Sequence, residues 1–79
     1  MNEQNAENEW ADRAKRFLKA KLKQADVSYE ELATRLSGMG LQETKASIAS
    51  KLARGRYSAL FFFATMKAIG KDSVSLVDF

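Results

Sequence analysis

This 79-residue sequence has no cysteine, no histidine and no proline. Without cysteine there are neither disulfides nor thiolate metal ligands. Without histidine the commonest metal ligand and the usual general base are missing as well. A single domain of this size buries only about 60% of the surface its unfolded chain exposes. With disulfides and the usual metal ligands excluded, self-association is the remaining route to added stability. The lack of proline, beside plentiful Ala, Leu, Lys and Glu, favours an all-α fold. No run of about 18 apolar residues exists, so no segment is suited to span a membrane. The opening residues are acidic and polar, the reverse of a secretory signal, and a cytoplasmic location is expected.

The same absences bear on catalysis. Serines and threonines are present, but no histidine can activate them. Glu30 and Glu31 are adjacent, and neighbours on a helix point about 100° apart, so they cannot act as acid and base on one substrate. No glycine-rich phosphate loop occurs. An enzyme is not expected, and no catalytic residue, metal ligand or cofactor is assigned.

What is present is positive charge, unevenly placed. Residues 1–12 hold Glu3, Glu7, Glu9 and Asp12 and no lysine or arginine. Residues 13–71 hold all thirteen lysines and arginines against four acids, Asp26, Glu30, Glu31 and Glu43, a net of +9. Such a balance suits a polyanionic partner.

The stretch from Ser28 to Gly55 organises the rest. Ser28 is placed as an N-cap, with Glu31 completing a capping box. Leu32, Ala33 and Leu36 then repeat at helical spacing, giving a second helix over about 29–38. Gly38 and Gly40 interrupt it, and Leu41 is expected to turn inward as a plug. Thr44 caps a third helix over about 45–54, with Ile48 and Leu52 on one face and Gly55 closing it. The other face is short and basic: Lys45, Ala46, Ser47, Ser50, Lys51 and Arg54.

On either side lie two more helices. Residues 1–8 are expected to form a disordered tail, with Asn8 capping a first helix that runs to about Ala25. Its core-facing stripe is Trp10, Ala14, Phe17, Leu18, Leu22 and Ala25. Val27 and Leu32 are spaced for a hydrophobic staple. Ser58 caps a fourth helix that ends at Gly70. At about 100° per residue, Ala59, Phe62, Phe63, Met66 and Ile69 share one side of it, and Leu60, Phe61, Ala64 and Ala68 another. A helix apolar on two sides is buried on both. The first side is assigned to the core. The second is assigned to a homodimer interface, together with Val74, Leu76 and Phe79 of the 71–79 tail. That tail alternates as a short strand or dimer arm would. The competing arrangement packs Phe61 beneath its own tail.

These segments resemble a known family. E-L-A-x-R-L (Glu31 to Leu36), K-L-A-R-G (Lys51 to Gly55) and S-x-x-x-F-x-x-x-M-K-A-I-G (Ser58 to Gly70) look like the lambda-repressor-like, Cro and Xre type helix-turn-helix domain. The likeness covers about residues 13–70. Closer still, the W-A-x-x-x-K-x-x-L-K opening at Trp10, Ala11, Lys15, Leu18 and Lys19 resembles a small bacterial domain of uncharacterised function. Two departures stand out: the connection SGMGLQET is longer than the family's tight turn, and the second helix lacks the glutamine often found near its start.

The resemblance implies a compact helix-turn-helix domain over 9–70, with the third helix in the major groove and the second helix's N-terminus at the phosphates. By position, Lys45, Ser47, Ser50, Lys51 and Arg54 fall on the recognition helix as base-facing residues, and Ser28 and Tyr29 at the phosphates. Lys19 and Arg56 read as further phosphate contacts, which position without specifying. The expected function is a sequence-specific transcription regulator that binds double-stranded DNA as a homodimer on a palindromic site. The alternative is a protein-interaction module that uses the fourth helix and tail.

Overall fold

The computed structural model describes residues 3–78, with side chains from Asn5 to Val77. Four α-helices follow in order, α1 (Glu3–Gln24), α2 (Tyr29–Gly38), α3 (Lys45–Arg54) and α4 (Ala59–Ala68), and a 3-10 turn at Leu76–Asp78 ends them. The expected all-α fold is the observed one, and α2, α3 and α4 start and stop within about two residues of the predicted positions. None of these helices is long and apolar enough to cross a membrane.

The caps explain that agreement. The Ser28 hydroxyl accepts the Glu31 N–H at 3.1 Å, Thr44 accepts the Ser47 N–H at 3.0 Å, and Ser58 accepts the Phe61 N–H at 3.1 Å. Each such cap is worth about 1 kcal/mol. The reciprocal half of the box forms at α3, where the Ser47 hydroxyl accepts the Thr44 N–H at 2.9 Å. It does not form at α2. There the Glu31 carboxylate accepts from Arg35 Nε at 3.1 Å instead, and the same guanidinium donates to the Ala68 carbonyl at 3.0 Å. One side chain thus ties α2 to the C-terminal end of α4, where a cation also complements the helix dipole.

Helix α1 departs from expectation at its start. It is already helical at Glu3, so Asn8 lies inside it and is no cap. The Asn8 side-chain oxygen instead accepts from Arg56 at 2.7 Å. Pairs four residues apart, Glu9 with Arg13 at 3.1 Å and Asp12 with Arg16 at 3.0 Å, support this part of the helix; with the helix beginning at Glu3, neither acid lies in the first turn. Trp10 is 58% exposed, with the Arg13 guanidinium 5.0 Å from its ring centroid. It is not part of the core stripe, because its neighbour Ala11 faces α3 and Trp10 points about 100° away.

The core gathers side chains from every helix. Phe17, Leu18 and Leu22 come from α1, Leu32 and Leu36 from α2, and Ile48 and Leu52 from α3, with Val27 in the α1–α2 link. Leu41 packs against it as expected. The Tyr57 hydroxyl donates to the Ala14 carbonyl at 2.8 Å, and its ring stacks on Phe62 with centroids 6.4 Å apart. At the end of α3, Gly55 adopts φ 64 and sits directly on the Ala11 carbonyl.

The assignment of faces on α4 is corrected. Phe61 is 2% exposed and belongs to the core with Met66 and Ile69, whereas Phe63 is 67% exposed. Ala64, Ala68 and Val74 are partly buried against this same core. The outward face is Leu60, Phe63 and Lys67. The sequence offers no marker here because nearly every position is apolar, and the one mid-helix hydroxyl misleads. Thr65 is fully buried, without a hydrogen-bond partner for its hydroxyl among the described residues. The tail is not a strand. Leu76 and Val77 sit in the 3-10 turn and are exposed. Phe79 lies outside the described residues.

Candidate nucleic-acid interface

Glu43, just before the cap of α3, decides which α3 side chains are available. Its carboxylate accepts a hydrogen bond from Ser47 at 2.6 Å and is ion-paired with Lys51. The Lys51 ammonium also lies 4.9 Å from the centroid of the buried Phe61 ring. Burial pushes the Glu43 carboxyl up, but the hydrogen bonds from Lys51 and Ser47 and the Lys51 charge outweigh it and hold it below its ordinary value. Ser47 and Lys51, both expected to face bases, are therefore drawn back onto their own domain. Lys51 fastens α3 over α4, and Ser47 closes the cap.

The sign of the Glu43 shift gives a pH dependence. A depressed carboxyl stabilises the fold above its unfolded pKa of about 4.3, and that contribution is lost as pH falls through the lower folded value. Glu43→Gln should cost about 1.5–3 kcal/mol at pH 7, the range for hydrogen bonds to charged groups. The difference from the parent should shrink toward zero in strong acid. Urea unfolding of both proteins at pH 7 and near pH 3 checks this, and a gap that does not change with pH would contradict it.

The remaining α3 residues form an outward face. Lys45, Ala46, Ser50, Ala53 and Arg54 are exposed and Ala49 is half-buried. Lys45 and Arg54 have no ion pair among the described residues. Arg54 does not stand beside Lys45. It lines a cleft against α1 with Asn8, Ala11, Asp12, Lys15, Ala53 and Arg56. The length of the helix separates it from Lys45, about 14 Å along the axis.

The expected phosphate contacts are scattered. Lys19 is exposed on α1. Arg56 reaches Asn8 and lies 3.9 Å from a Glu7 carboxylate oxygen. The Ser28 hydroxyl is used as a cap, and Tyr29 is half-buried against the core. Glu30 and Glu31 occupy the first turn of α2 and offset the positive end of its dipole. Of the expected contacts, Lys45, Ser50, Arg54, Lys19, Arg56 and Ser28 are exposed, Ser28 with its hydroxyl engaged in the cap. No site role is assigned to Glu43 or Lys15 from the sequence: Glu43 meets Ser47 and Lys51 only once α3 is wound, and Lys15 joins the cleft only where α1 packs beside the end of α3.

A family model matches residues 10–74. The chain belongs to the DUF6471 family. DUF6471 is described as a domain of unknown function. The match runs from Trp10 to Val74, so DUF6471 takes in α2, α3 and α4 whole and every cleft residue except Asn8. No curated protein and no solved structure matches the chain.

Proposed function

We propose that this chain is a DNA-binding transcription regulator of lambda-repressor-like, helix-turn-helix type, reading double-stranded DNA through α3 as a homodimer. The outward face of α3 carries the proposal. Ala46, Ala49, Ser50 and Ala53 are short enough for the helix backbone to come close to base edges, and Lys45 supplies reach at the N-terminal end. Arg54, Arg56 and Lys19 are cations suited to phosphates, which fix register and orientation. A net of +9 over residues 13–71 supports the same partner.

The homodimer uses the outward face of α4, with Leu60 at 64% exposure and Phe63 at 67%. Two-fold pairing through one apolar patch would set two α3 copies on half-sites of a palindrome, roughly 34–36 Å apart. The same patch also suits a protein-interaction module without DNA binding, and the two functions differ in salt dependence.

Binding of a labelled random duplex, followed by fluorescence anisotropy, tests the proposal. Three or four phosphate contacts give a log–log salt slope of about −2.7 to −3.6. Lys45→Ala should weaken binding to the preferred site by about 1–3 kcal/mol while far-UV helicity stays the same. Absent or salt-independent duplex binding would overturn the proposal.

A further inference from the structure

We infer that the cleft between α1 and the C-terminal end of α3 is a phosphate-binding site in its own right. It is open to solvent, with a volume of about 190 Å³. Three cations converge on it from three different segments: Lys15 from α1, Arg54 from α3 and Arg56 from the α3–α4 link. The carboxylate in its lining, Asp12, is turned to Arg16 at 3.0 Å. Arg56 is held in place by the Asn8 side-chain oxygen at 2.7 Å, with the Glu7 carboxylate further off at 3.9 Å. Lys15 and Arg54 have no ion pair among the described residues.

The floor of the cleft is small and fixed. Ala11 and Ala53 line it, and Gly55 locks the end of α3 against the Ala11 carbonyl. Two guanidiniums and an ammonium around such a floor match a tetrahedral oxyanion, because guanidinium forks bind phosphate oxygens in pairs and lysine adds a point charge. The site needs only a phosphate, which a nucleic-acid backbone or a free phosphorylated molecule can equally supply. It therefore stands without the DNA-binding proposal.

Amide and arginine side-chain NMR spectra of the full chain test the inference in two arms. One adds pyrophosphate against sodium chloride of matched ionic strength, and the other adds random duplex. Signals of Lys15, Ala53, Arg54 and Arg56 should move saturably with pyrophosphate. Arg54→Ala should raise the pyrophosphate Kd about tenfold, the loss of one charge-assisted contact. Lys67→Ala, on the outward face of α4, should leave it unchanged. Lys15→Ala repeats the test from α1 should Arg54→Ala disturb the end of α3. Movement in both arms assigns the phosphate to a nucleic-acid backbone, and movement with pyrophosphate alone assigns it to a free phosphate. If duplex moves no α3 signal while pyrophosphate still fills the cleft, DNA binding fails and the cleft stands. No saturable movement in either arm, or equal movement with sodium chloride, overturns the site.

Discussion

Gly55→Ala should lower stability by about 2–5 kcal/mol and leave much of the protein unfolded at room temperature. Two costs add. Gly55 has φ 64, where an L residue carries about 1–2 kcal/mol of strain. A Cβ there would also lie 1.9 Å from the Ala11 carbonyl oxygen and 2.7 Å from its carbonyl carbon. Those atoms are helix backbone and cannot swing aside, so α1 and α3 must separate, an overpacking cost of about 1–3 kcal/mol or more. A core this small rarely supplies more than about 3–5 kcal/mol in total. Gly40→Ala is the control. Gly40 has φ 88, but a methyl group there would meet nothing within 4 Å, so it should cost only the strain. Urea denaturation of both variants checks the difference, and equal midpoints would contradict the close packing of α3 on α1.

Phe63→Asp should convert the proposed homodimer to a folded monomer and cost about a hundredfold or more in affinity for a palindromic site. Phe63 is 67% exposed and makes an edge contact with Phe62 at 5.6 Å, so its replacement should change monomer stability by no more than about 0.5 kcal/mol. Fully burying one Phe contributes about 1.5–3 kcal/mol, and a two-fold interface counts it twice. A charge on each copy would face its like across the axis. Linking two half-sites raises avidity by about 10²–10⁴ over one, and the monomer forfeits that gain. Sedimentation at tens of micromolar, with anisotropy on the selected site, measures both effects. A parent that sediments as a monomer would remove the dimer, and Phe63 would then be simply a solvated side chain.

The helices are legible in the sequence because their signals are local. Ser28, Thr44 and Ser58 each sit one residue before a helix, and a hydroxyl there captures an orphan N–H whatever the rest of the chain does. Three things are not legible. The inward side of α4 is fixed by what surrounds it, since LFFF is equally apolar around most of the helix. The first turns of α1 are tied down by Arg56, 48 residues away from Asn8. The base-facing set is smaller than the sequence suggests, because Glu43 withdraws Ser47 and Lys51 through one carboxylate outside the helix. Charge and reach can be read from a sequence, but whether a cation is already paired depends on the fold.

The outward face of α3 is the centre of the proposed function, and a ¹H–¹⁵N titration with a selected duplex tests it most directly. The amides of Lys45, Ala46, Ala49, Ser50 and Ala53 should show the largest shifts, with the Leu60–Lys67 face of α4 unmoved once the dimer is formed. Saturable shifts confined to α1 or α4, with α3 unchanged, would contradict it.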